Sequence, residues 1–181
     1  MPKRVSKEIV DVALFMVTLF LANFVWKLMV HGDEAGEGIV TWFGLDATPL
    51  FDAYARHIAK VVYAFVHSFR DTLMMTDDTT MHFVNGGGTR IVWSCTPLKQ
   101  MFIWICLMLT TLPFFNRNKL WFIPLGIVLI HFINLARIAA ITAFMEFHPE
   151  WFELLHTYIF KYIFYGILFL FWVFYIEKIR K

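Results

Sequence analysis

"FDAYARHIAKVVYAFVHSF", Phe51 to Phe69, is the stretch on which the number of membrane crossings turns. At 3.6 residues per turn Phe51, Ala55, Ile58, Val62, Phe65, Val66 and Phe69 share one face, and Arg56, Lys60 and His67 fall opposite. A span would have to bury those charges in hydrocarbon, so the pattern predicts an amphipathic helix lying on the membrane surface.

The rest of the chain is overwhelmingly apolar. Of 181 residues, 59% are hydrophobic and 17% charged, and the mean hydropathy is +0.62, outside the range of soluble domains. A soluble domain of this size would leave about a third of its chain surface exposed, too much for so apolar a sequence, so a bilayer has to cover the excess. The net charge of +2 is scattered and no basic stripe interleaves with aromatics, which excludes nucleic acid as a partner.

Four stretches are long enough to cross about 30 Å of hydrocarbon, at residues 9–30, 98–115, 120–144 and 154–176. Lys3, Arg4 and Lys7 precede the first, Arg117 and Lys119 follow the second, and Lys178, Arg180 and Lys181 follow the fourth. All three basic clusters face the cytoplasm together if both termini are inside. The loop "MEFHPEWFE", Met145 to Glu153, has three glutamates and no Lys or Arg, which suits the outer face. A fifth span at Phe51 to Phe69 would put the basic C-terminus outside. The expected fold is therefore an all-α integral membrane domain over residues 1–181, with four transmembrane helices. The outer segment, 31–97, carries the amphipathic helix and a short hairpin around the glycines of "TTMHFVNGGGTRIVWS". The first apolar segment is long and lacks a small-residue cleavage site, so it is read as a retained anchor.

That topology brings three chemically distinct side chains to one depth. The hairpin delivers Cys95 to the outer surface, and Arg137 lies about 10 Å below the outer end of the third span. His156 opens the fourth span from the same side. The free-thiol reading of Cys95 follows from its distance to Cys106, which a helix from Leu98 carries about 12 Å into the span. Neither cysteine has metal-ligand spacing, and no cofactor or metal is expected. Cys106 reads as core. A thiolate is a nucleophile favoured by a nearby cation, an imidazole can take and return a proton, and a guanidinium can donate to an oxyanion. Together they compose an acyl-transfer site.

"WSCTPLKQ", "NLARIAAI" and "HTYIFKYIFYGILFLFW" resemble, in that order, the signature segments of the exosortase/archaeosortase family. The resemblance runs from about Val92 to the C-terminus and is nearest to compact members from Bacteroidetes-type bacteria. It implies a membrane cysteine transpeptidase or protease of the bacterial inner membrane. Its protein substrates would carry a C-terminal sorting signal with one transmembrane helix. It also implies Cys95 as nucleophile, Arg137 as transition-state stabiliser and His156 as acid/base. Many members have glycine two residues after the cysteine; here Pro97 has no N–H, so a backbone oxyanion donor is expected from Cys95, Thr96 or elsewhere. Many members also have about twice as many spans.

His148 competes with His156 for the acid/base role, since its loop is on the same face. Asn134, one turn before Arg137, is expected to orient it, and His131 is expected to pack. Lys27, Lys99 and Lys161 are expected to reach toward lipid headgroups. Two other classes of function fit the same chain. One is a non-catalytic membrane subunit that binds a partner for assembly. The other is a small polar-solute transporter using the stripe of His131, Asn134 and Arg137.

Overall fold

The computed structural model describes residues 7–33, 38–84 and 86–180. The chain is mostly helical. Helix α1 (Lys7–Met29) leads into a three-stranded antiparallel sheet of β1 (Val30–His31), β2 (Thr41–Trp42) and β3 (Leu45–Asp46). Helix α2 (Thr48–His67) follows, then a second antiparallel sheet of β4 (Leu73–Met75), β5 (Thr80–Phe83) and β6 (Gly88–Arg90). A 3-10 turn (Trp93–Cys95) feeds α3 (Leu98–Thr110), and α4 (Asn118–Phe144) returns. The last helical run, Pro149–Ile179, starts with a 3-10 turn and the π-helical Leu154–Ile159 before α5 (Phe160–Phe174).

Among the described residues three helices are long and apolar enough to cross a membrane: Lys7–Met29, Asn118–Phe144 and Pro149–Ile179. They match the expected first, third and fourth spans within a few residues. The second differs, because α3 stops at Thr110 instead of reaching residue 115. Three polar groups stand at that stop, where hydropathy alone sees none. Thr110 and Thr111 hydroxyls bond back to carbonyls of their own helix, at Cys106 and Leu107, a contact that competes with continuing the ladder. The Lys119 ammonium then takes the carbonyls of Thr111 (2.6 Å) and Phe114 (3.2 Å).

The expected amphipathic helix is present as α2, but its apolar face is covered by protein. Phe51, Ala55, Ile58, Val62 and Val66 are buried, most of them in a cluster with Leu73, Met81 and Phe83 of the second sheet and Ile138, Ile141 and Met145 of α4. Leu50, Val61, Phe65 and Phe69 remain exposed. The expected hairpin is β5–β6, joined by β4 into a sheet. Its glycines answer a close approach: a Cβ on Gly86 would lie 2.7 Å from the carbonyl oxygen of Glu146, and the Gly87 amide donates to Met145 O at 3.0 Å. The hairpin is thereby pinned to the end of α4. The small sheet at β1–β3 has no counterpart in the periodicity, since its strands are two residues long.

Within the bundle a second cluster joins Phe15 of α1, Trp104 and Leu107 of α3, Phe122 of α4 and Phe164, Leu168 and Trp172 of α5. Gly126 lets α4 approach the Trp104 ring so closely that a Cβ there would overlap the indole. The far end of the bundle is closed by polar groups. Arg180 pairs with Asp11 (2.9 Å) and donates to Leu112 O (3.2 Å), while Asn116 and Asn118 hold the carbonyls of Arg180 and Ile179.

Candidate active site

The sulfur-bearing turn sits at the opposite end of the bundle from that clamp. The Cys95 amide donates to Val92 O (2.9 Å) and the Thr96 amide to Trp93 O (3.0 Å), which closes the 3-10 turn. Thr96 is buried, and its hydroxyl adds a second bond to Trp93 O at 2.6 Å. Trp93 in turn donates from Nε1 to Asp33 O, tying the turn to the segment after α1. Pro97 then starts α3, whose first turn has no side-chain cap. Its positive dipole end directly follows the Cys95 turn in the chain.

Asn134 fixes the turn from α4. It is 1% exposed and its Nδ2 donates to the Cys95 carbonyl at 3.0 Å. The amide thus reaches Cys95, whereas the sequence suggested Arg137 as its partner. Arg137 follows one turn later and is half-buried; its Nε is buried with no hydrogen-bond partner, and no ion pair engages it among the described residues. It lies close enough to both Cys95 and His156 to interact electrostatically with each. His156 is half-buried on the π-helical turn, its ring stacked on Phe152 at 5.2 Å and 10°.

Arg137 and His156 line one open cavity of about 790 Å³ together with Ser94, Thr96 and Gln100. Cys95, between Ser94 and Thr96, is half-buried and packs against the apolar cluster to which Ile138 and Leu155 belong. Those two are the chain neighbours of Arg137 and His156. The three residues singled out for acyl transfer are therefore brought to one end of the bundle by three different segments, the 3-10 turn, α4 and the π-helical turn.

The arrangement also sorts the competing candidates. His148 is exposed, bonds Glu150 at 3.0 Å and does not line the cavity. His131 Nδ1 shares a hydrogen bond of 2.9 Å with the Tyr54 hydroxyl, and its ring stacks beside His57. The stripe of His131, Asn134 and Arg137 is thus divided among α2, the Cys95 turn and the cavity. The Cys95 and Thr96 amides are already bonded within the turn, so neither is free to serve as the expected backbone oxyanion donor; Arg137 and Gln100 are side chains with donors that line the cavity. Gln100 was missed in the sequence, although its position one turn after Thr96 was there to read. Its Oε1 is buried without a partner.

Asp11 and Arg180 were also unmarked as a pair, because 169 residues separate them. Among the described residues no group of three or more His, Cys, Asp or Glu is arranged to hold a metal. In comparisons with known proteins, no family model, no curated protein and no solved structure matches the chain.

Proposed function

We propose that the protein is a membrane-embedded cysteine transpeptidase or protease, acting at its outer face on proteins that carry a C-terminal sorting signal with a transmembrane helix. The observation that carries this reading is the α4 arrangement. Asn134 holds the Cys95 carbonyl, and Arg137, one turn on, lies in a cavity with His156 and the residues flanking Cys95.

In the proposed reaction His156 takes the Cys95 proton, and the sulfur attacks the scissile carbonyl carbon. The tetrahedral oxyanion forms beside Arg137, which donates hydrogen bonds without changing protonation state. Collapse breaks the C–N bond as the imidazolium of His156 protonates the departing amine, leaving a thioester on Cys95. Water or an acceptor amine then adds to the thioester, giving its proton to His156. The C–S bond breaks and the thiol is restored. Water gives cleavage and an amine gives transfer.

The topology belongs to the same proposal: four crossings of the bacterial inner membrane, both termini cytoplasmic, the cavity outside. At 13 residues α3 is about 20 Å long, short of a full span by itself. Irregular backbone completes the crossing only where its carbonyls are satisfied by protein. Lys119 and Arg180 satisfy those of Thr111, Phe114 and Leu112, which favours a crossing completed at this point.

Mass spectrometry on the full-length protein in native membranes tests the chemistry. A hydroxylamine-labile acyl fragment on Cys95 is expected in the wild type, absent in Cys95→Ser and reduced in His156→Ala and Arg137→Gln. Unchanged C-terminal trimming of membrane proteins in a Cys95→Ala strain with normal protein level would refute it.

A further inference from the structure

Among the described residues, the charge lining the cavity is one-sided. Among the described residues its wall includes Lys27, Lys99, Lys161 and Arg137, with His31 and His156, and no aspartate or glutamate. These cations come from α1, α3, α4 and the start of α5, so their convergence is tertiary and unlike a solvated run of charge along one segment. A partly enclosed space that gathers like charge is favourable when an anion occupies it. Arg137, which lines the same space, also has a buried Nε with no hydrogen-bond partner.

Position narrows the kind of anion. Lys27 and Lys161 stand on the exposed sides of their helices, next to Phe24 and Leu28 on α1 and to Tyr158 and Tyr162 on the last helix, all exposed. The rim of the cavity is thus continuous with the apolar surface that faces lipid in a membrane-spanning bundle. Trp26, Trp93 and Tyr165 also line it, the aromatic types that settle at headgroup level. About 790 Å³ is within the range of small-ligand pockets and is large enough for a headgroup.

We propose that this cavity binds the phosphate-bearing headgroup of an anionic membrane lipid. A lipid is favoured over an acidic peptide because two of the cations are reached from lipid-facing helix surfaces. The site stands whether or not Cys95 is a nucleophile.

Electron paramagnetic resonance of spin-labelled lipids in nanodiscs holding the full-length protein measures the association of phosphatidylglycerol relative to phosphatidylcholine. Wild type and Cys95→Ala are expected to prefer phosphatidylglycerol by roughly fivefold or more, and the double variant Lys27→Gln/Lys161→Gln to fall to near parity. Arg117→Gln/Lys178→Gln, at the other end of the bundle, is expected to keep the preference. Equal association of the two lipids with wild type overturns the proposal, as does an equal loss in the control variant. Inorganic phosphate added to phosphatidylcholine discs separates the other source. A rise in melting temperature that Lys27→Gln/Lys161→Gln abolishes, without lipid preference, assigns the site to a soluble phosphate and overturns the lipid.

Discussion

Replacing Asn134 with leucine tests whether the turn that carries Cys95 is held as described. The substitution removes the Nδ2 donor and strands the Cys95 carbonyl, which costs about 1–3 kcal/mol for a buried unsatisfied group. It also removes Asn134 Oδ1, which is itself buried without a partner and so carries a penalty of the same order in the wild type. The two terms nearly cancel, and leucine fills the volume. Asn134→Ala loses and gains the same polar groups but leaves a void in a site that is 1% exposed, adding about 2–5 kcal/mol by analogy with other buried truncations to alanine. At about 2–4 °C per kcal/mol for a chain of this size, Asn134→Leu should melt within about 5 °C of wild type. Asn134→Ala should melt roughly 4–20 °C below the leucine variant. Thermal unfolding in a mild detergent, followed by tryptophan fluorescence, reads both. If the leucine variant falls as far as the alanine variant, Oδ1 is already satisfied and the account of this bond is wrong. Cys95 alkylation in a Cys106→Ala background gives a second reading. It should slow severalfold in Asn134→Leu, since the turn is no longer held beside Arg137.

Asp11→Asn and Arg180→Met should each destabilise by about 3–5 kcal/mol, because each leaves one member of a pair whose side chains are 6% and 11% exposed. The double variant should be less damaging than the sum of the two, and additive losses in a double-mutant cycle would show the charges to be independent. Gly126→Ala should cost more than about 1–3 kcal/mol in the same melting assay, since the new methyl overlaps a Trp104 ring that is fully buried; an unshifted melt would mean that the helices part freely there. Asp77 is held below the ordinary carboxylate range by the Thr79 amide first and then by Thr80. A depressed acid stabilises above its unfolded value, so the β4–β5 turn should be fully protected at neutral pH. Amide protection at Thr79 and Thr80 should fade as pH drops below about 4, and protection that instead weakens on raising the pH would reverse the assignment.

The sequence was legible wherever a single physical rule dominates. Three long apolar helices follow from length and hydropathy, and α2 follows from its 3.6 period because Arg56 and Lys60 leave one face available for burial. What covers that face was not legible: Ala55 and Val62 satisfy the same pattern whether the cover is lipid or the end of α4. The truncation of α3 was hidden for a related reason. Thr110, Thr111 and Lys119 change where a helix ends only once they meet one another across a turn, and hydropathy averages over them. At the site, Cys95, Arg137 and His156 were marked by being polar in apolar surroundings, whereas Gln100 was obscured by standing next to Lys99 at an expected headgroup position. The partner of Asn134 was misjudged because helical spacing favours its neighbour Arg137, while the actual acceptor is a backbone carbonyl that no side-chain pattern reports.

The two ends of the bundle treat charge in opposite ways, and that contrast bears on which end carries activity. At the far end Arg180, Lys119, Asn116 and Asn118 are matched by a carboxylate or by carbonyls, and the result fixes α1, the end of the last helical run and the α3–α4 turn against each other. At the near end the Arg137 Nε lacks a partner, and the cavity it lines gathers cations from four segments with no carboxylate among its described lining. Such an arrangement is disfavoured in the empty state, and it persists because Asn134, the 3-10 turn and the pinned hairpin hold the backbone in place regardless of what fills the cavity. Evolution removes such imbalance readily, by a glutamate opposite Arg137 or a leucine in its stead, when nothing is gained by keeping it. The imbalance is therefore best explained by an anion that comes and goes, whether the oxyanion of a reacting carbonyl or a lipid phosphate. On the proposed reading the far end supplies the rigidity against which that exchange would take place.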